Sequence, residues 1–331
     1  MTHIVVLATG GTIASRTGPG GASVAADGAG ALLAAAGQDP SVKVEPVDVL
    51  RENSFNLTLE DLASIAEAVR AQLTRPEVDG IVLTHGTDTI EETAFLLDLV
   101  HDDDRPVVLT GAQIAPDRDG SDGPRNLRQA IAVAAAPEAR GLGVLVSFAG
   151  ALFAARGLRK AHTLLPQPFA AQSGGPIGQV LDDGPLITAR PVRSAPLPLP
   201  GPGFGSLRVE TLTLSPGATP ELLDHLVEQR TPGIVLAGTG SGNLNRGYLR
   251  SLRAAVDAGT VVALSSRVPF GPGAAIYGSG GAVDAIAAGA VPATALPFTQ
   301  TRILLALLLS RFPADAAADR LRRRANREKG I

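Results

Sequence analysis

Short aliphatic runs, each closed by a turn carrying glycine or threonine, recur along the first half of the chain. Ile4-Val5-Val6-Leu7 runs into Thr9-Gly10-Gly11-Thr12. Gly80-Ile81-Val82-Leu83-Thr84 runs into His85-Gly86-Thr87-Asp88-Thr89, followed by a helical apolar pattern through Ala94, Leu96, Leu97 and Leu99. Pro106-Val107-Val108-Leu109-Thr110 leads to Gly111-Ala112, and Gly143 to Phe148 forms a further run. Strands alternating with helices predict βαβ units around a parallel sheet.

The pattern breaks between Arg190 and Gly205, where Pro191, Pro196, Pro198, Pro200, Gly201, Pro202 and Gly203 crowd together. Such a stretch can continue neither a helix nor a central strand. It predicts a linker over 193–206 between domains at 1–192 and 207–331. Beyond it the strand–turn rhythm resumes with Gly233 to Leu236, the glycine turn Gly238 to Gly242, and Val261 to Leu264. The expected fold is therefore α/β: a larger N-terminal parallel-sheet domain plus a smaller C-terminal α/β domain. Thr17 to Gly30 is rich in Gly, Ala and Ser without apolar periodicity, and reads as a mobile loop directly after the first strand.

Composition narrows the classes. The chain has 331 residues, 45% of them hydrophobic but only 3% aromatic, so the core is built from Ala, Val, Leu and Ile. That aliphatic bias suits a parallel sheet covered on both faces by helices. A formal charge of −3 and the scarcity of aromatics leave neither an electrostatic footprint nor a stacking platform for nucleic acid. The basic run Arg320, Arg322, Arg323, Arg324 and Arg327 reads as a solvated helix end whose cations complement the macrodipole. Cysteine is absent, which excludes disulfides, a thiolate nucleophile and cysteine metal sites. The apolar start, Ile4 to Leu7, is too short for a signal peptide, and Ile303 to Leu309 falls far short of the roughly 20 residues that cross a bilayer. The expected location is the cytoplasm, without membrane partners.

Ligands of open α/β sheets bind in the crevice beyond the carboxyl ends of the strands. Thr12 and Thr87 both follow glycines at such ends, where the backbone comes close to a ligand and its N–H groups point outward. A threonine after glycine is most often the cap of the next helix. Two such turns, one with Asp88 beside its threonine, point instead toward a site. A threonine hydroxyl needs an activating base or hydrogen-bond network to be a nucleophile. His85 lies in the second turn, but the geometry of a strand end aims it inward or at the backbone. Lys160, in Arg156-Gly157-Leu158-Arg159-Lys160 after the run 143–148, falls on the same face as the threonines. By position alone a lysine there is more often solvated; if buried, it would have the lowered basicity of a proton acceptor. His3, His101, His162 and His225 show no metal-ligand spacing, so neither metal nor cofactor is expected. A Rossmann glycine fingerprint, a P-loop and a Gly-x-Ser-x-Gly elbow are all missing.

These residues also match a known pattern. Ala8-Thr9-Gly10-Gly11-Thr12-Ile13-Ala14 and Leu83-Thr84-His85-Gly86-Thr87-Asp88-Thr89 resemble the two signatures of the bacterial-type L-asparaginase and glutaminase-asparaginase family. The likeness continues through Thr110-Gly111-Ala112-Gln113, Asp122 to Leu127, Arg156 to Thr163, Gly240 to Leu244 and Ser265 to Pro269, and covers essentially the whole chain.

The resemblance implies hydrolysis of L-asparagine to L-aspartate and ammonia through a threonine nucleophile and an acyl-enzyme, in asparagine catabolism. Thr12 would attack the side-chain amide. Thr87, Asp88 and Lys160 would form a second group, with Lys160 as base or electrostatic partner and Thr87 as hydroxyl relay or activator of water. Asp88 would also grip the substrate α-amino group, and Ser54 its carboxylate. Gly11, Gly86, Ala112 and Phe55 would line the substrate, and backbone groups near Thr12, Thr87 and Ala112 would polarise the scissile carbonyl. Asn243 matches a residue that completes the site of a neighbouring subunit, which implies a homo-oligomer, dimer or tetramer.

Two departures stand out. Many relatives carry a tyrosine on the loop after the first strand, whereas 15–33 contains none, and Tyr248 and Tyr277 are the only two in the chain. Phe55 stands where relatives tend to carry a polar residue. L-glutamine, or another small amide, is the alternative substrate, and a catalytically weak aspartate- or asparagine-binding protein is the alternative from another class.

Overall fold

A computed structural model describes residues 1–326 apart from 19, 21, 38 and 183. Two compact units divide the chain, Met1–Leu199 and Pro200–Ile331, so the expected linker at 193–206 spans the division.

In chain order the first unit holds β1 (Thr2–Gly10), β2 (Ser15–Thr17), β3 (Ser23–Ala25), α1 (Ala29–Ala36) and β4 (Val42–Glu52). Then come α2 (Leu59–Leu73), β5 (Gly80–Thr84), α3 (Ile90–Val100), β6 (Val107–Thr110), α4 (Gly123–Ala135) and β7 (Val144–Phe148). Shorter strands follow: β8 (Ala151–Ala154), β9 (Leu158–Lys160), β10 (Phe169–Ala171), β11 (Gly178–Leu181) and β12 (Gly184–Ile187). The main sheet has eight strands in the order β12-β11-β8-β7-β6-β5-β1-β4.

Strands β4, β1, β5, β6 and β7 run parallel, as their aliphatic runs predict. Beyond β7 the sheet departs from that expectation, because β8, β11 and β12 join antiparallel. The cause is local: Ala149 and Gly150 both have positive φ, 48° and 81°, as a tight two-residue hairpin requires. The chain therefore reverses at Phe148 without a crossover helix.

β1 sits between β4 and β5, so the chain leaves β1 toward one side and returns past it to the other. This reversal places a crevice at the carboxyl ends of β1 and β5, the expected ligand position for an open sheet. Ile4, Val5, Val6 and Leu7 are fully buried at its base. On one face Ile4 and Val6 join Val82, Val108, Leu127 and Ala130 in a core that includes the inner side of α4. Fully burying one such aliphatic side chain contributes roughly 1.5–3 kcal/mol, so the crevice rests on a rigid floor.

The segment expected as a loop, Thr17 to Gly30, is more regular than its composition suggests. β2 pairs antiparallel with β3, and Ala26 and Asp27 donate their N–H groups to Ala14 O. Arg16 pairs with Asp27 at 2.9 Å, and Thr17 N donates to Asp117 Oδ2 at 2.7 Å. These ties come from outside the segment, which is why apolar periodicity did not reveal them.

The second unit holds β13 (Val209–Thr213), α5 (Glu221–Glu228), β14 (Gly233–Gly238), α6 (Tyr248–Asp257), β15 (Val261–Ser266), α7 (Ala282–Ala287) and β16 (Val291–Pro292). It closes with α8 (Phe298–Leu309) and α9 (Ala314–Arg324). Its sheet, β13-β14-β15-β16, is parallel throughout. Arg322, Arg323 and Arg324 occupy the last turn of α9, Arg320 stacks 4.0 Å over the Phe312 ring, and Arg327 lies outside the described residues. Among the described residues, no helix is long and apolar enough to cross a membrane.

Candidate active site

The two glycine–threonine turns meet at the crevice between β1 and β5. Gly11, at φ 81°, approaches the second turn so closely that a Cβ on it would lie 2.4 Å from both Cα and N of Gly86. Gly86 in turn leans on Ser54, whose Oγ lies 2.5 Å from where a Gly86 Cβ would be. The turn that bears Thr12, the turn that bears Thr87 and Ser54 are thereby brought together, though far apart in sequence. Thr9 Oγ1 donates to Thr84 O at 2.9 Å, stitching the ends of β1 and β5, and Thr89 Oγ1 donates to Ser54 O at 2.9 Å.

Neither candidate threonine caps a helix. Gly11 precedes a short 3-10 turn whose first residue is the half-buried Thr12, and Thr89, not Thr87, stands at the N-cap of α3. The Thr87 hydroxyl is engaged elsewhere.

Lys160 supplies that engagement. Its Nζ donates to Thr87 Oγ1 at 2.8 Å and to Asp88 Oδ1 at 2.7 Å. The lysine side chain is 16% exposed and the Asp88 side chain 53%, so the solvated-surface reading of Lys160 is overturned. Rather than trailing β7, Lys160 ends a strand of its own, β9, which pairs with β10. Glu91 Oε2, on the first turn of α3, accepts the Lys160 backbone N–H at 2.5 Å. With its carboxylate half exposed, the ion pair contributes little to stability; its effect is to fix the direction of the ammonium.

Three partners of this group have no role in the sequence analysis, although Gln113 and Asp122 stand in the family-like strings. Thr87 Oγ1 donates to Gln113 Oε1 at 3.1 Å. The buried Asp122 carboxylate accepts from the N–H of Gln113 at 3.1 Å, the N–H of Ile114 at 2.9 Å and Asn126 Nδ2 at 3.1 Å, pinning the loop after β6. Glu91 is the third; its position four residues after Thr87 would have been the available signal. For Gln113 and Asp122 the signal was their place in the family-like strings, but their contacts depend on how β6 and β9 lie in space.

His85 plays no part in the open crevice. It is fully buried, and burial lowers its pKa to about 4, so the ring is neutral near pH 7. Its Nδ1 lies 2.8 Å from Gly86 O and its Nε2 lies 2.9 Å from Thr93 Oγ1. Since the carbonyl only accepts, Nδ1 carries the hydrogen, and Nε2 accepts from Thr93. The ring braces Gly86 from below. Ala112 is buried beside Gly111, and Phe55 is 66% exposed next to the buried Ser54. Asn243 belongs to the second unit, at the turn after β14, where its Oδ1 accepts from Ala282 N at 3.2 Å. Among the described residues no group of three His, Asp or Glu is arranged to hold a metal ion.

Known proteins share this arrangement of chain. Residues 3–193 match the family description "Asparaginase, N-terminal", and residues 208–321 match "Glutaminase/Asparaginase C-terminal domain". A relative from Deinococcus radiodurans, named "Probable L-asparaginase", is 36% identical over 323 residues, covering 94% of each chain. Another from Haemophilus influenzae, named "Probable L-asparaginase periplasmic", is 34% identical over 287 residues, covering 82% of this chain and 79% of the relative. The crystal structure of "Probable Cytoplasmic L-asparaginase" from Campylobacter jejuni matches with a TM-score of 0.85 at 28% identity, over 98% of both chains. The two signature turns lie within the first family match, both units are accounted for, and the chain belongs to the asparaginase family.

Proposed function

We propose that the protein is an L-asparaginase, cleaving the side-chain amide of L-asparagine to give L-aspartate and ammonia. The observation that carries this reading is the bonding of Lys160 Nζ to both Thr87 Oγ1 and Asp88 Oδ1, beside a turn that brings Thr12 to the same crevice.

In this reading Thr12 Oγ attacks the amide carbon and passes its proton toward the departing nitrogen. Ammonia leaves, and an ester between Thr12 and the aspartyl side chain remains. Water then attacks that ester, aspartate departs, and Thr12 regains its proton. Splitting the reaction this way lowers each barrier below that of direct hydrolysis. Thr87 and Lys160 form the proton-handling group, with Thr87 as hydroxyl relay between the ammonium and the reacting atoms. Asp88 holds the ammonium and presents its exposed carboxylate edge to the substrate α-amino group. Ser54 takes the α-carboxylate. Backbone N–H groups beside Thr12, Thr87 and Ala112 face the carbonyl oxygen as its negative charge grows, where a single such donor is worth roughly 10²–10³ in rate.

Location in the cytoplasm and assembly into a dimer or tetramer belong to the same proposal. The name of the Campylobacter jejuni protein supports the first, whereas the Haemophilus influenzae relative is named for the periplasm. Asn243, at the turn after β14, would complete the crevice of a neighbouring copy. Mass by light scattering, together with the activity of Asn243→Ala, tests that part.

Ammonia release from asparagine by Thr12→Ala and by Thr87→Ala tests the central reading. Each variant is expected to lose on the order of 10⁴ in kcat, as enzymes do on losing one member of a cooperating catalytic group. Wild-type rates in both variants would overturn it. Running glutamine alongside separates the glutaminase alternative, and tight asparagine binding without ammonia in the wild-type chain would leave only a binding protein.

A further inference from the structure

Gln113 touches the proposed relay at the same Thr87 hydroxyl as Lys160, and its amide cannot be turned around. Its Nε2 lies 3.2 Å from Thr163 O and 3.1 Å from Leu165 O. Both are carbonyls, which only accept, so the NH2 end must face them and the oxygen must face Thr87. Gln113 Oε1 therefore accepts the Thr87 hydroxyl hydrogen at 3.1 Å. The lone pairs of Thr87 Oγ1 are left to accept from Lys160 Nζ at 2.8 Å.

We infer that Gln113 is a positioning residue that sets the direction of the Thr87 hydroxyl proton, on instruction from the backbone of the 163–165 loop. This rests on the reading of Thr87 as part of the relay and adds its resting polarity: ammonium to threonine to glutamine. Lys160 can take the Thr87 proton only after that hydroxyl turns away from Gln113. The carbonyls of Thr163 and Leu165, through one amide, hold the Thr87 hydroxyl hydrogen toward Gln113 and away from Lys160.

Supports on either side make the amide a rigid element. Asp122 fixes the Gln113 backbone through its N–H. The loop is fixed in turn: His162 Nδ1 accepts from Leu164 N at 3.1 Å and Leu165 N at 2.9 Å, and Gln167 Nε2 donates to Phe148 O at 2.6 Å. The charged and titratable groups bonded to the relay or to its supports are Asp88 on its turn, Glu91 on α3, Asp122 behind Gln113 and His162 in the loop, with Arg159 next to Lys160 in sequence.

Two substitutions separate this role from mere packing. Gln113→Met keeps the length of the side chain and removes both the acceptor and the donor. The Thr87 hydroxyl is then free to donate toward a neutral lysine, so the rising limb of the kcat/KM profile moves to lower pH. Gln113→Glu keeps an acceptor facing Thr87 and brings a negative charge toward the ammonium, so that limb moves to higher pH. In both variants kcat is expected to fall about tenfold near neutrality while KM stays within about twofold, the pattern of a lost transition-state interaction. Parallel shifts in the same direction, or an unchanged profile, would overturn the inference, as would a change in KM alone. If the Met variant does not fold, the direction of the Glu shift decides. Thr87→Ala is assayed beside them: full activity there sinks the reading of Thr87 itself, whereas an inactive Thr87→Ala with unshifted Gln113 profiles sinks only the role of Gln113.

Discussion

Gly11 and Gly86 meet backbone to backbone, with no room for a Cβ on the first: it would stand 2.4 Å from Gly86 Cα. Everything proposed for the site depends on that approach, because it brings the turn bearing Thr12 against the turn bearing Thr87. Gly11→Ala adds both a methyl in occupied space and a residue with a side chain at φ 81°. Strain of this kind costs roughly 1–3 kcal/mol and overpacking a similar amount. Thermal melting and ammonia release are expected to fall together, and more steeply than in Gly86→Ala, whose methyl meets Ser54 Oγ and Cβ first, with backbone no nearer than 3.1 Å, and which has no positive φ to strain. Equal behaviour of the two variants would contradict the contact as described.

Lys160→Met removes the ammonium while preserving the length of the side chain. Losing a positioned proton-transfer group costs typically 10²–10⁴ in rate. Stability should barely move, since the Asp88 side chain paired with it is 53% exposed. A variant with near-normal kcat, or one that melts many degrees lower, would argue that the lysine is structural.

Asp122 is the anchor of the loop after β6. Replacing it by Ala strands the N–H groups of Gln113 and Ile114. Hydrogen bonds to a charged group are each worth about 1.5–3 kcal/mol, so urea unfolding should detect a loss of that order. Because the same loop presents Gln113 to Thr87, kcat should drop further than the stability change alone explains. Asp122→Asn keeps part of the acceptor set and should fall between.

Two buried histidines make stability fall in mild acid. Burial lowers the pKa of His85 and of His101 to about 4, His101 being further lowered by Arg193. In the unfolded chain each returns to the ordinary value of 6.5. Between those values the unfolded state binds more protons than the folded one, so stability rises with pH there. Their contribution is fully present above the ordinary value and is lost as pH falls toward the folded value. From about pH 7.5 to about pH 5 the pair should remove about 4 kcal/mol. Urea midpoints at the two pH values check this, and His85→Phe should flatten the dependence if the ring is the source.

Phe55 stands exposed beside the residue proposed to hold the substrate carboxylate. Exchange for Ser or Gln should change the ratio of kcat/KM for asparagine over glutamine, since the two substrates differ by one methylene. Such a difference is worth about 1–3 kcal/mol at most, so the ratio should move by no more than about 200-fold. A ratio unaltered by either exchange would remove Phe55 from the substrate wall.

The parallel strands were legible because a strand buried on both faces must be aliphatic along its whole length, as Ile81, Val82 and Leu83 are. The antiparallel additions were not, since β8 and β11 are short and owe their direction to the positive φ of Ala149 and Gly150. Glycine beside threonine at two strand ends pointed away from helix caps, and neither Thr12 nor Thr87 stands at an N-cap. Lys160 could be named from the family likeness, but its burial could not.

By itself, then, the sequence determined the residues that local chemistry and family pattern dictate: the aliphatic strands, the glycine turns, and the candidates Thr12, Thr87, Asp88 and Lys160. Only the tertiary structure decided which of these touch, and it joined to them Gln113 and Asp122, which lay in the family-like strings without a role, and Glu91, which no motif contained. The physical reason is range. Strand burial and turn geometry are set within a few residues of the chain, whereas a hydrogen bond such as Lys160 to Thr87 spans 73 positions and exists only once the strands and turns between them have packed.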